Sequence, residues 1–162
     1  MKKTLTPLIL VFAMLAPCLA AVVRLAPEFT WQGVGGKNAS LKSLRGQPVV
    51  LIVAKSARDH TFRKQAKRLK EIYQEFAGRN VVFIAALAEN NGTIPSDVPF
   101  VIANDGAKIA ADYQVQGSFG VIVIGVDGNV DMQTSKLIPA SRIKDVIVNS
   151  YPVQTEERKN KL

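Results

Sequence analysis

Two six-residue stretches, Val49-Val50-Leu51-Ile52-Val53-Ala54 and Val81-Val82-Phe83-Ile84-Ala85-Ala86, contain no polar side chain. A run this short and this apolar, bounded by turn signals such as Gly46 and Pro48, is a strand covered on both faces. Between them Phe62, Ala66, Leu69, Ile72, Tyr73 and Phe76 recur at three- and four-residue steps, which predicts a helix over 60–77 with one apolar face. Asp59 is a candidate cap at its start, and Gly78 ends it. Buried strand, amphipathic helix, buried strand is the unit from which parallel sheets are built.

The rest of the chain adds to that unit. Residues 22–36 read as an irregular lead-in with a short hairpin, in which Gly33, Gly35 and Gly36 provide turn positions, and Leu41 to Leu44 as one helical turn. After a polar loop from Glu89 to Gly92, Phe100–Ile102 is a short strand and Ala107–Tyr113 a short helix. Val121–Ile124 and Val130–Met132 flank Asp127-Gly128, a hairpin signal, and Ile143–Val148 is the last helix. The order is β–α–β–α–β–β–α after a small N-terminal hairpin. The expected fold is α/β, a mixed central sheet with helices on both faces.

Lys2 and Lys3, the apolar stretch Leu8 to Leu15 and the small residues Ala20 and Ala21 have the layout of a secretory signal peptide. The apolar stretch is too short for a permanent transmembrane helix, and no second one follows. The expected division is a signal peptide over 1–20, a domain over 22–152 and a charged tail over 153–162, with a periplasmic or secreted destination. Leu15-Ala16-Pro17-Cys18 offers a lipoprotein alternative in which Cys18 becomes the acylated first residue, although Pro17 is a poor neighbour for it.

Removing residues 1–20 leaves 19 Lys and Arg against 13 Asp and Glu, a net charge of +6. That balance favours acidic partners or anionic surfaces. The cations Arg63, Lys64, Lys67, Arg68 and Lys70 lie on the polar face of the 60–77 helix with no aromatic platform beside them, so no nucleic acid is expected. One cysteine, Cys18, and one histidine, His60, exclude a cysteine-ligated zinc site, an iron–sulfur cluster and an internal disulfide. No cofactor or metal is expected, and the oligomeric state is open.

Several strings resemble the thioredoxin-like superfamily, in particular its peroxiredoxin-like (alkyl hydroperoxide reductase and thiol-specific antioxidant) and cytochrome-maturation branches. Ala26-Pro27-Glu28-Phe29-Thr30 is similar to that family's A-P-D-F-T-L opening. Gly36-Lys37, Ser40-Leu41 and Leu44-Arg45-Gly46-Gln47-Pro48-Val49-Val50-Leu51 resemble G-K-x-x-x-L-x-x-L-R-G-K-P-V-V-L. Tyr113-Gln114-Val115-Gln116-Gly117 followed by Asp127-Gly128-Asn129-Val130 resembles the pattern Y-x-V-x-G and D-x-D-G-x-I. Asp59, Phe62-Arg63 and Gln65 also resemble a cysteine-free thioredoxin-like domain of unknown function found in bacteria and in some extracellular animal proteins. The resemblance implies a thioredoxin-like three-layer sandwich.

It also implies an active site that this chain does not carry. Where the family places Cys-x-x-Cys, at the junction of the first core strand and the long helix, this sequence reads Ala57-Arg58-Asp59-His60-Thr61-Phe62. Arg58 and Thr61 stand at the two cysteine positions, and neither performs thiol–disulfide exchange. Phe119 stands where the family has its cis-proline, and without proline the preceding peptide is expected to be trans. Arg58, His60 and Thr61 at a helix start are the candidate binding residues, with Asp59 as a competing cap that fills the same N–H groups. Phe29, Trp31 and Phe119 are expected to line one end of the domain. The reading that follows is an exported, redox-inactive module that binds a protein or peptide of the cell envelope. The alternative is a cysteine-independent enzyme, or a peroxiredoxin-like antioxidant-associated protein, using Arg58, His60 and Thr61.

Overall fold

The structure, a computed structural model, describes residues 24–76, 80–89 and 93–150. The expected leader over 1–20, with Cys18, and the tail over 153–162 lie outside the described residues, as do Gly78 and the loop over 90–92. In chain order the elements are β1 (Thr30–Gln32), β2 (Asn38–Ser40), β3 (Val49–Ala54), α1 (His60–Phe76), β4 (Val82–Leu87), β5 (Phe100–Ile102), α2 (Gly106–Asp112), β6 (Phe119–Ile124), β7 (Val130–Thr134) and α3 (Ala140–Val148). Two 3-10 turns, Val34–Gly36 and Leu41–Leu44, flank β2.

The main sheet has the order β5-β4-β3-β6-β7. β3, β4 and β5 run parallel, while β6 is antiparallel to β3 and β7 to β6, so the sheet is mixed. Side-chain alternation along β3 explains why that strand is apolar at every position. Val50, Ile52 and Ala54 pack into one cluster with α1 and α3, through Phe62, Leu69, Ile143 and Ile147. Val49, Leu51 and Val53 pack into a second cluster with α2 and the N-terminal hairpin, through Phe29, Trp31, Ile109 and Tyr113. The result is three layers with the sheet in the middle. Among the described residues no helix is long and apolar enough to cross a membrane.

Several boundaries differ from the sequence expectation. The N-terminal hairpin is not confined to 22–36: its return strand is β2, whose Asn-Ala-Ser sequence carries no apolar alternation. Phe100–Ile102 is a full member of the main sheet, so the order after the hairpin is β–α–β–β–α–β–β–α. β4 lies one residue later than its apolar run, because the parallel register pairs Val49 with Val82 and Ala54 with Leu87. α3 begins at Ala140, three residues early, with Pro139 at its N-cap and Ala140 buried. Phe29 and Trp31 belong to the α2 face of the sheet and Phe119 to the α1 face, so the three aromatics lie in two different layers.

Tyr113 ties together two of the strings on which the family resemblance rests. Its buried hydroxyl donates to the Pro27 carbonyl at 2.9 Å, and burial pushes the phenol above its ordinary pKa. At the other edge, the β6–β7 register shifts between Val123 and Ile124, which leaves Asp131 opposite no partner. Asp131 is an exposed residue whose carboxyl is partly desolvated, and that desolvation, with the charge of Asp127 after it, pushes the carboxyl up to about 6. A carboxyl with a raised folded-state pKa favours the fold in its protonated form. That advantage is complete below about pH 4 and is lost as pH rises through about 6. Asp131→Asn is therefore expected to stabilise the protein at pH 7.5 by about 1 kcal/mol, a figure discounted because Asp131 is an exposed residue. The same variant should match the wild type near pH 4. Thermal melts of both proteins across that range check it, and a gain that does not depend on pH contradicts it.

Candidate functional site

The β3–α1 corner carries Arg58, Asp59, His60 and Thr61, the residues that the sequence resemblance singled out as the candidate site. β3 ends at Ala54, the chain turns through Ser56 and Ala57, and the Asp59 amide donates to the Ser56 carbonyl at 3.1 Å. Asp59 Oδ1 then accepts the Thr61 and Phe62 amides at 2.7 and 3.2 Å, and the Asp59 carbonyl accepts the Arg63 amide at 3.0 Å. This is an N-cap, a feature that contributes about 1 kcal/mol to a helix. It also settles the electrostatics of the corner. The amides that would hold an exogenous anion already serve a carboxylate of the chain itself.

Arg58 and His60 are exposed, and Thr61 is partly buried. These three and Asp59 are thus neighbours on one corner, and His60 also borders a shallow, open recess with Arg63, Lys64 and Lys67. Phe119 is separate from them. It opens β6 opposite Ala54, is 5% exposed, and belongs to the same apolar cluster as Ala57 and Phe62. Among the described residues no peptide bond is cis, so the Ser118–Phe119 bond is trans. Ala57, Phe62 and Phe119 give the corner an apolar base, and among the described residues there is no cysteine. Among the described residues no three His, Cys, Asp or Glu side chains group in a way that could hold a metal ion.

Two features go beyond the sequence reading, which named Gln65 only as part of a family resemblance. Gln65 is fully buried on the apolar face of α1, where its Nε2 donates to the Ile138 carbonyl at 3.1 Å and its Oε1 accepts the Ile138 amide at 3.0 Å. The position was findable, because a glutamine three residues after Phe62 and four before Leu69 falls on the core stripe. The second feature is a groove along α1, with Phe62 and Ala66 at its base, Arg63 and Lys67 on one wall, and Pro95 and Ser96 on the other. Lys70 and Asp97 close one end through an ion pair at 2.7 Å. No periodicity argument reaches this groove, because its second wall comes from an irregular segment.

The profile of a family described as a domain of unknown function, DUF4174, matches residues 40–157. No curated protein sequence matches the chain. Among solved structures, a thiol:disulfide interchange protein from Bacteroides sp. superposes with a TM-score of 0.64 at 17% identity, covering 85% of this chain and 96% of that one. A 2-Cys peroxiredoxin from Plasmodium vivax superposes with a TM-score of 0.62 at 15% identity, covering 86% and 99%. A putative thiol:disulfide interchange protein DsbE from Chlorobium tepidum gives 0.60 at 16% identity, covering 74% and 89%. At these identities the likeness is one of fold, and the fold is thioredoxin-like.

Proposed function

Since the chain belongs to the DUF4174 family and has a thioredoxin-like fold, we propose that it is an exported, redox-inactive binding module that presents its β3–α1 corner to a protein or peptide of the cell envelope. One observation carries this reading. The positions of a thioredoxin-like dithiol are held by Arg58 and Thr61, and Asp59 occupies the helix start that would otherwise lower a thiol pKa. Phe119, in place of the substrate-binding proline, adds to it. A scaffold kept intact while nucleophile, resolving group and proline position are all replaced supports binding over catalysis. The fold alone decides neither. The leader-like segment over 1–20 supports export.

The purified protein is expected to show no insulin-disulfide reduction and no hydroperoxide reduction above buffer, with or without the substitution Cys18→Ser. Turnover that survives Cys18→Ser would show that the chain works without cysteine and would overturn the reading. Native envelope extracts passed over tagged wild type and over an Arg58→Ala/His60→Ala variant test the surface. A protein held by the wild type and lost by the variant is the expected result. Equal capture by both places the contact elsewhere on the domain.

A further inference from the structure

The α1 groove has a charge arrangement that helix stability does not explain. α1 has no acidic residue in its first turn and no basic residue in its last. Instead Arg63, Lys64 and Lys67 crowd its N-terminal half, the positive end of the helix dipole. Arg63 and Lys67 are four residues apart, as are Lys64 and Arg68, so like charges stack along the surface. Both features disfavour the helix. Among the described residues, ion pairs join Lys55 to Glu89, Lys70 to Asp97, Lys108 to Asp112 and Lys144 to Glu75, and none involves Arg63, Lys64 or Lys67. Asp59 caps the helix start, yet among the described residues no ion pair reaches these three cations, an arrangement that suits a surface completed from outside.

The shape narrows the class of partner. Arg63 and Lys67 form one wall of a concave groove of about 260 Å³, with the side chains of Phe62 and Ala66 at its base. The Lys70–Asp97 pair has already neutralised the far end. A membrane surface calls for protruding apolar side chains beside the cations. Leu25 is the exposed large hydrophobic residue among those described, and it bridges to Asn129 beside β7, away from this groove. Nucleic-acid bases call for an exposed aromatic face, and Phe62 is 1% exposed. A recess with a cationic wall and an apolar base suits an extended peptide whose carboxylates flank one apolar side chain.

We infer that the groove between α1 and residues 95–97 docks an acidic segment of a partner protein, with Asp or Glu side chains on Arg63 and Lys67 and an apolar side chain against Ala66 and Pro95. This inference rests on the reading of the domain as a binding module, and it names the partner's chemistry and a second contact surface next to the β3–α1 corner.

Short random peptides displayed on phage, selected against the full chain at low salt, test it. The selected pool is expected to be rich in Asp and Glu around an apolar residue. Its binding should fall at least tenfold with Arg63→Glu/Lys67→Glu and hold with Lys42→Glu/Lys136→Glu, an equal charge change at exposed sites elsewhere. Arg63→Gln/Lys67→Gln should also lose binding, yet melt no lower than the wild type, because it removes unfavourable charges from the helix. A lower melting temperature for that variant would make the cations structural and overturn the inference. So would a pool without acidic bias, or one held equally by Arg63→Glu/Lys67→Glu. Binding to phosphatidylglycerol vesicles in place of acidic peptides would assign the cations to lipid and overturn it too. Acidic peptides lost with Arg58→Ala/His60→Ala but kept by Arg63→Glu/Lys67→Glu would overturn this inference and leave the binding-module reading standing.

Discussion

Gly106→Ala is expected to destabilise the protein by about 3 kcal/mol and to lower its melting temperature by about 10 °C. Gly106 is the first residue of α2, so helix propensity alone argues the opposite, a gain of about 1 kcal/mol from alanine. The contact decides the sign. A Cβ at Gly106 would lie 2.2 Å from the Leu87 carbonyl oxygen and 2.4 Å from its carbon, at the end of β4. Those are backbone atoms of a buried strand, so they cannot swing aside as a flexible side chain would. α2 would have to lift from the sheet, and Ile109 and Tyr113 would lose packing with it. Urea and thermal denaturation of the variant measure the effect. A melting temperature at or above that of the wild type would mean that propensity outweighs the contact, and that α2 does not ride this close to β4.

Gln65→Leu is expected to cost about 2 kcal/mol, although it places an apolar residue of similar size in a fully buried position. Burying the leucine stabilises by about 2 kcal/mol. Against this, the Ile138 amide and carbonyl both lose their partner, at about 1–3 kcal/mol each. These bonds hold the connection between β7 and α3 onto α1, so α3 loosens as well. Gln65→Glu provides a sharper check. A protonated glutamic acid can donate to the Ile138 carbonyl and accept its amide as glutamine does, whereas the carboxylate repels the carbonyl. Burial raises the pKa of such a carboxyl, so the variant should be most stable at low pH and lose stability as pH rises through that pKa. Hydrogen exchange at the Ile138 amide reports the same change locally. Protection unchanged in Gln65→Leu would show that the glutamine fills space without holding the segment.

The two predictions mark where sequence reasoning stops. The apolar runs at 49–54 and 81–86 identified β3 and β4, because a strand buried on both faces can carry no polar side chain. The stripe from Phe62 to Phe76 identified α1, and Asp127-Gly128 the β6–β7 turn. These are local signals, each contained within one element. β2 carried no such signal: Asn38, Ala39 and Ser40 are strand residues only because Thr30, Trp31 and Gln32 pair with them. α3 was read three residues short for a similar reason, since Ala140 shows its importance only once it is buried against the sheet.

For the candidate site, the family resemblance led to the expectation that Arg58 and Thr61 stand where a dithiol would be, and the residue type of Asp59 suited a helix cap. A residue type at a given position is legible in one dimension, because the string names each side chain directly. What only the tertiary structure decided is which distant segments meet. It put Phe119 beneath the corner opposite Ala54, separated it from Phe29 and Trp31 by the thickness of the sheet, set Pro95 and Ser96 across from Arg63 and Lys67, and hung Ile138 on Gln65. Each of these depends on strand order, register and the path of a loop. These are set by the sum of many weak contacts across the domain, and no short stretch of sequence encodes that sum.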